Sequence, residues 1–427
     1  MNKLTILVLV IFTSLSVFAQ KSTNSPYSFF GIGENSQQNT VEEISLGGLG
    51  ISTSDGYHIS FANPANLANL KITTYTFAGS SNFVSVKDGV STEKGLTSSA
   101  SYFALGFPIG KKMGFSFGLM PKSSVGYELY KENKDVNDEI TDITLLKGNG
   151  GPNRVFTGIG YNIYKDLNVG LEAEYIFGNI ENETIKQVRD VQLATKYLNT
   201  NYLNGFGIKL GTNYKKKIFN EVNLYTGLTV SLENDIKTDR KEYIYSLTYN
   251  NGNEIPRDTA YFHEAKSSIV KPLKTAVGFG LGKNDKWFAG LEYSFQDALK
   301  FNTGVLTTAK AQYQKSSKLS VGGFYTPNYN SISSYWDRVT YRVGVKFEQT
   351  GLMVNTTTNP NQYEGIDDFG ITFGVGLPIG NQLSNVNLGF EVGKRGKTDL
   401  GLIQENYFNI KISLSLNDKW FNKAKIN

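Results

Sequence analysis

Chemistry needs particular residue types at particular spacings, and this sequence offers few of them. His58 and His263 are its two histidines. They stand in unrelated segments with no partner at the i, i+4 spacing that puts two imidazoles on one metal. Each reads as an ordinary loop histidine, so neither a metal site nor histidine catalysis is expected. No Gly-x-Ser-x-Gly elbow occurs to expose a serine nucleophile. Cysteine is absent, which removes disulfides, thiolate metal sites, a cysteine nucleophile and a lipid-modified N-terminal cysteine. Gly278-Phe279-Gly280-Leu281-Gly282 has the outline of a nucleotide loop, but no helix follows. It reads as alternate glycines on one face of a strand. Glu132, Asp135, Asp138, Glu139 and Asp142 form an acidic run of a kind that can hold Ca²⁺ and more often is a solvated loop. Asp258-Thr259-Ala260 resembles a short acceptor motif for O-glycans. The sequence therefore predicts no enzyme and no cofactor.

The remaining charged candidates are Glu172, Glu174, Lys209, Glu292, Arg342, Lys346, Glu391 and Lys411. Each alternates with apolar neighbours, and that alternation identifies the elements that carry them. In Asn406 to Leu416, the residues Phe408, Ile410, Ile412, Leu414 and Leu416 share one face. Tyr407, Asn409, Lys411, Ser413 and Ser415 share the other. Period-two alternation over this length is a strand. The pattern recurs along the chain: Phe206, Ile208 and Leu210 against Gly207, Lys209 and Gly211, and Tyr341, Val343, Val345 and Phe347 against Arg342, Gly344, Lys346 and Glu348. A third run sets Phe115, Phe117, Leu119, Val125, Tyr127 and Leu129 on one face and Lys122 and Glu128 on the other. About fourteen such runs follow Lys71.

A soluble sandwich would bury the apolar face, and a membrane barrel would turn it to lipid. Three features favour the barrel. Glycine gathers on the polar face, as a crowded interior requires. The runs are about 10 residues, enough to cross a bilayer at a tilt. Tyr130, Tyr164, Trp287, Trp336, Trp420 and Phe421 stand near run ends, like interfacial girdles. Connections also alternate. Short ones such as Lys165-Asp166 and Lys283 to Lys286 are interleaved with long polar ones at Lys131 to Asn153, Asn179 to Asn201, Asp235 to Lys271, Leu299 to Lys318 and Thr350 to Asp367. Tight periplasmic turns and long external loops give this asymmetry.

Residues 1–19 read as a secretory signal peptide, with Lys3, an apolar run from Leu4 to Leu15, and cleavage between Ala19 and Gln20. The predicted organisation is a hatch at 20–71, a transmembrane β-barrel at 72–421 and a periplasmic tail at 422–427. The hatch carries Phe29, Phe30, Ile32, Phe61 and Leu67, aromatic and aliphatic residues that need burial without a strand period of their own. The net charge of +5 is mild for 427 residues and gives no sign of a nucleic-acid partner.

Asn63-Pro64-Ala65-Asn66-Leu67-Ala68 resembles the NPA-type motif of FadL-type outer-membrane transporters. Ser25-Pro26-Tyr27-Ser28-Phe29-Phe30-Gly31-Ile32-Gly33, Phe369 to Pro378 and the Lys419-Trp420-Phe421 ending look like a Bacteroidota branch of such barrels. The resemblance spans nearly the whole mature chain. It implies an outer-membrane barrel of about fourteen antiparallel strands with an N-terminal hatch in the lumen. Asn63, Pro64 and Ala65 would join hatch to first strand in a structural role. It also implies passage of hydrophobic small molecules toward a lateral opening. Related barrels serve instead as non-transporting subunits of secretion or barrel-assembly machines, which makes partner proteins the alternative to passive uptake. On either reading the barrel wall meets outer-membrane lipid.

Overall fold

The computed structural model describes residues 23–53, 55–219, 221–302, 311–356, 362–379 and 384–418. The Ala19–Gln20 junction and the Lys419-Trp420-Phe421 ending lie outside the described residues. Among these residues no helix is long and apolar enough to cross a membrane. Strands do the crossing.

Fourteen strands follow the hatch. They are β1 (Thr73–Lys87), β2 (Thr92–Ile109), β3 (Met113–Pro121 and Ser123–Lys134), β4 (Ile140–Tyr164), β5 (Leu167–Val188), β6 (Ala194–Phe219) and β7 (Val222–Ser231 and Asn234–Asn250). The second half comprises β8 (Asn253–Lys271 and Lys274–Lys283), β9 (Trp287–Gln296 and Lys300–Phe301), β10 (Ala311–Tyr313 and Ser316–Tyr325), β11 (Thr340–Asn355), β12 (Tyr363–Ile379), β13 (Ser384–Gly396) and β14 (Gln404–Asp418). Each pairs antiparallel with the next. β14 then pairs with β1 from Thr73↔Asp418 to Lys87↔Gln404 and closes the cylinder. Closure leaves the membrane band without an open edge.

The face assignment follows from exposure. Phe206 is 75% exposed, and Ile208 and Leu210 beside it are exposed too. Gly207 between them and Gly211 after them are buried. On β14, Phe408, Ile412 and Leu416 point out while Tyr407, Ser413 and Ser415 point in and are buried. An apolar belt outside and a polar bore inside is the arrangement of a lipid-spanning barrel.

Two sequence expectations need correction. The long polar connections are for the most part strand. β4, β5 and β6 run 25, 22 and 26 residues, well beyond a bilayer span, and carry their ladders through the supposed loops. Polar residues on both faces and register shifts, as at Ile244/Tyr245 and Ser246/Leu247 against β8, hide the period there. The second correction concerns β3. Phe117 and Leu119 face outward, but Val125 and Tyr127 are 2% and 3% exposed and point inward. The strand breaks at Lys122, which flips the parity, so one apolar set serves two faces.

That break opens the wall. β2 and β3 pair only from Phe103↔Leu119 to Ile109↔Met113. Above Leu119 the two lips are bridged by the hatch itself. Asn24 donates to the Leu96 carbonyl on β2 (3.4 Å). Ser123 on β3 donates to the Ile32 carbonyl (2.6 Å), and the Gly126 amide donates to Ser28 (3.1 Å). Glu34–Asn35 adds a two-residue strand against Ser124 and Ser123.

Candidate functional site

The interior is the site, and the hatch is built to fill it. Thr40 caps the short helix α1 (Val41–Ile44) in a capping box with Glu43. Gly47 and Gly48 follow at φ +76° and +93°, the left-handed backbone that ends a helix without a Cβ clash. The reversed chain then presents successive backbone amides to the wall. Glu292 on β9 accepts from Gly50 (2.9 Å), Ile51 (2.6 Å) and Ser52 (3.1 Å). One carboxylate facing three amides is a compact charge-assisted clamp. Thr372 on β12 accepts from the Gly47 amide (2.9 Å) and donates to the Ser45 carbonyl (3.1 Å).

The inward glycines now have a cause in contact. A Cβ on Gly114 would strike the Leu67 carbonyl, one on Gly170 the Ala65 amide, and one on Gly344 the Gly47 amide. The hatch backbone lies directly on the wall at these points.

Asn63, Pro64 and Ala65 sit at the start of a short 3₁₀ helix, Pro64–Asn69, which leads into β1. Asn63 accepts from the Ala65 amide (3.0 Å) and donates to Ile51 (2.8 Å) and to Thr212 of β6 (2.9 Å). The plug residues divide between two apolar clusters. Ile32, with Phe29 packed beside it, joins Val125, Tyr127, Ile176 and Leu203 near the wall gap. Phe30 stacks edge-on against Phe29. Phe61 and Leu67 join Tyr102, Met120 and Phe156.

The wall charges form two networks and some separate contacts. In the first, Arg154 bonds Glu172 (2.8 Å) and Glu174 (2.9 Å), Lys122 bonds Glu174 (2.7 Å), and Lys209 bonds Glu172 (3.0 Å). Lys209 also donates to the Phe61 carbonyl of the hatch (2.7 Å). In the second, Lys346 lies between Glu391 (2.6 Å) and Asp368 (3.3 Å). Arg395 reaches Glu34 of the hatch (2.6 Å), Asp368 and Glu405. Lys411 bonds Gln37 of the hatch (2.6 Å). Glu292 contacts hatch amides as described, and Arg342 donates to Asn387 (3.2 Å). Asn387 in turn donates to Glu42 of the hatch (2.7 Å).

Sequence reasoning missed Arg154, Asp368, Arg395 and Glu405. All four continue the inward parity of neighbouring glycines or polar residues, so extending each run by a few residues would find them. The hatch carboxylates Glu34, Glu42 and Glu43 had no such signal. Glu43 is buried, and burial pushes its carboxyl up to about 7 against hydrogen bonds from Ser60, Thr40 and Asn39. His58 is in an irregular stretch, as expected, and is half-buried. It lies in the hatch, 2.6 Å from Asp55 and 3.8 Å from Glu42. His263 stacks on Tyr261 in β8. The acidic run takes separate partners at the β3–β4 tip: Asp138 with Lys134, Glu139 with Arg189, Asp142 with Lys186. Among the described residues no group of three or more acidic or histidine side chains is placed to hold a metal.

Solved structures share this architecture. The toluene transporter TbuX of Ralstonia pickettii superposes with a TM-score of 0.57 at 14% identity, covering 89% of this chain and 99% of that one. The toluene transporter TodX of Pseudomonas putida gives 0.57 at 15% identity, with 91% and 100% covered. A Pseudomonas aeruginosa FadL homologue gives 0.55 at 13% identity, with 90% and 98% covered. At these identities the likeness establishes the fold alone, a closed fourteen-stranded antiparallel barrel. A comparison with curated protein sequences gives no match. The BamG family model matches residues 1–427, and the chain belongs to the BamG family.

Proposed function

We propose that this protein is a sealed barrel subunit of a larger outer-membrane secretion or barrel-assembly machine, with a protein-binding rather than a conducting role. The observation that carries the reading is the hatch clamp. Wall side chains from strands all round the cylinder, Ser123, Lys209, Glu292, Thr372, Asn387 and Lys411 among them, bond hatch residues spread from Ile32 to Phe61. Moving such a hatch breaks many buried polar contacts at once, each costing about 1–3 kcal/mol when left unmade. The match to the BamG family over the whole chain is in keeping with an assembly role. Solubilising native membranes in mild detergent and capturing the tagged chain should recover other proteins at fixed stoichiometry. Recovery of the barrel alone would count against the reading.

A second reading, passive uptake of hydrophobic compounds, rests on the gap between β2 and β3 and the apolar cluster around Ile32 and Val125 beside it. The solved neighbours named as toluene transporters support it. Deleting Gln20 to Gly33 removes the segment bridging the gap and should raise permeability to such compounds. Unchanged uptake in the deletion strain would remove this reading.

A further inference from the structure

Charge in the lumen is balanced in one region and not in another. A cavity of about 170 Å³ lies between hatch and wall. Its lining carries six cations, Lys122, Arg154, Lys209, Lys271, Lys274 and Lys318, and three carboxylates, Glu172, Glu174 and Glu292. The excess is six minus three, or three positive charges. Glu172 and Glu174 are already engaged by Arg154, Lys122 and Lys209. Glu292 is committed to the hatch amides.

Lys271, Lys274 and Lys318 are left. Among the described residues none of the three is paired with a carboxylate at ion-pair distance; Glu348, the cross-strand neighbour of Lys318, also acts on Lys274, and Glu174 acts on Lys271, both at longer range. Lys271 and Lys274 flank the break in β8, and Lys318 enters from β10. The topology thus brings three lysines without a direct ion pair to one cavity. Six cations against three carboxylates give the cavity a net positive potential that favours an anion, and Lys274 is exposed to it.

We infer that this chamber is a binding site for a small multivalent oxyanion of phosphate type, held by Lys271, Lys274 and Lys318. A cavity of this size holds one tetrahedral anion with water around it. The anion is either free phosphate or the phosphate of a lipid headgroup whose chains remain outside. The site is independent of the assembly reading, since it depends only on the charge arrangement of the lumen.

The test uses the whole mature protein in detergent. Inorganic phosphate should raise the thermal unfolding midpoint more than chloride at matched ionic strength. The Lys271→Gln/Lys274→Gln/Lys318→Gln variant should lose that increment and, being relieved of repulsion, should be no less stable without anion. The single Lys274→Gln variant should bind phosphate about tenfold or more weakly, the size of one lost charged hydrogen bond. Phosphorus analysis and lipid extraction of the purified protein separate the sources. Retained phosphorus without lipid assigns the free anion, and a stoichiometric phospholipid lost in the triple variant assigns the headgroup. Equal midpoints in phosphate and chloride, with no phosphorus retained, would overturn the inference.

Discussion

Replacing Glu292 with alanine is expected to loosen the Gly47–Ser52 stretch of the hatch while leaving the barrel closed. The carboxylate is the shared acceptor for the Gly50, Ile51 and Ser52 amides. It is 5% exposed, so water does not replace it readily. Losing three charge-assisted bonds and stranding three buried donors should cost hatch docking roughly 3–5 kcal/mol. Hydrogen exchange reads this directly. Protection of the amides from Gly47 to Ser52 should fall by about two orders of magnitude or more, while β9 and β12 ladder amides hold theirs. Glu292→Gln keeps a carbonyl acceptor and should lose about half as much. Unchanged protection in Glu292→Ala would show that the hatch is held elsewhere.

Lys346→Met should destabilise the barrel wall itself. The Lys346 ammonium lies between Glu391 and Asp368, and all three residues are under 5% exposed. Truncation leaves Glu391 with Gln37, Asn409 and a distant Lys411 at 3.8 Å. Breaking a buried pair by removing one partner costs about 3–5 kcal/mol, because the other charge stays behind. The temperature of heat-modifiable unfolding and the urea midpoint should both drop. The double variant Lys346→Met/Glu391→Leu should recover most of the loss, since an apolar pair carries no stranded charge. A Lys346→Met barrel as stable as the parent would mean the network contributes no net stability.

The barrel was legible because period-two alternation is local. Phe206, Ile208 and Leu210 against Gly207, Lys209 and Gly211 declare two faces within six residues, whatever lies beyond. The hatch was legible only as a stretch lacking that period but rich in residues needing burial. Its path was not, because the contacts that fix it join positions far apart in sequence. Gly50 meets Glu292 and Glu42 meets Asn387, and nothing in either segment names the other. The break at Lys122 was misread for a related reason. A one-residue change of parity looks like continued alternation when Val125 and Tyr127 are as apolar as Phe117 and Leu119. The glycines were correctly placed in a crowded interior; what the sequence could not name is the source of the crowding, a hatch backbone atom against each of Gly114, Gly170 and Gly344.

On the proposed reading the hatch seals the bore. Planar-bilayer recording on the purified whole chain tests it with least inference. The proposed sealed role predicts a flat baseline with no steady conductance, and openings only once Glu292→Ala has loosened the hatch. A stable ohmic current from the unaltered protein would contradict it.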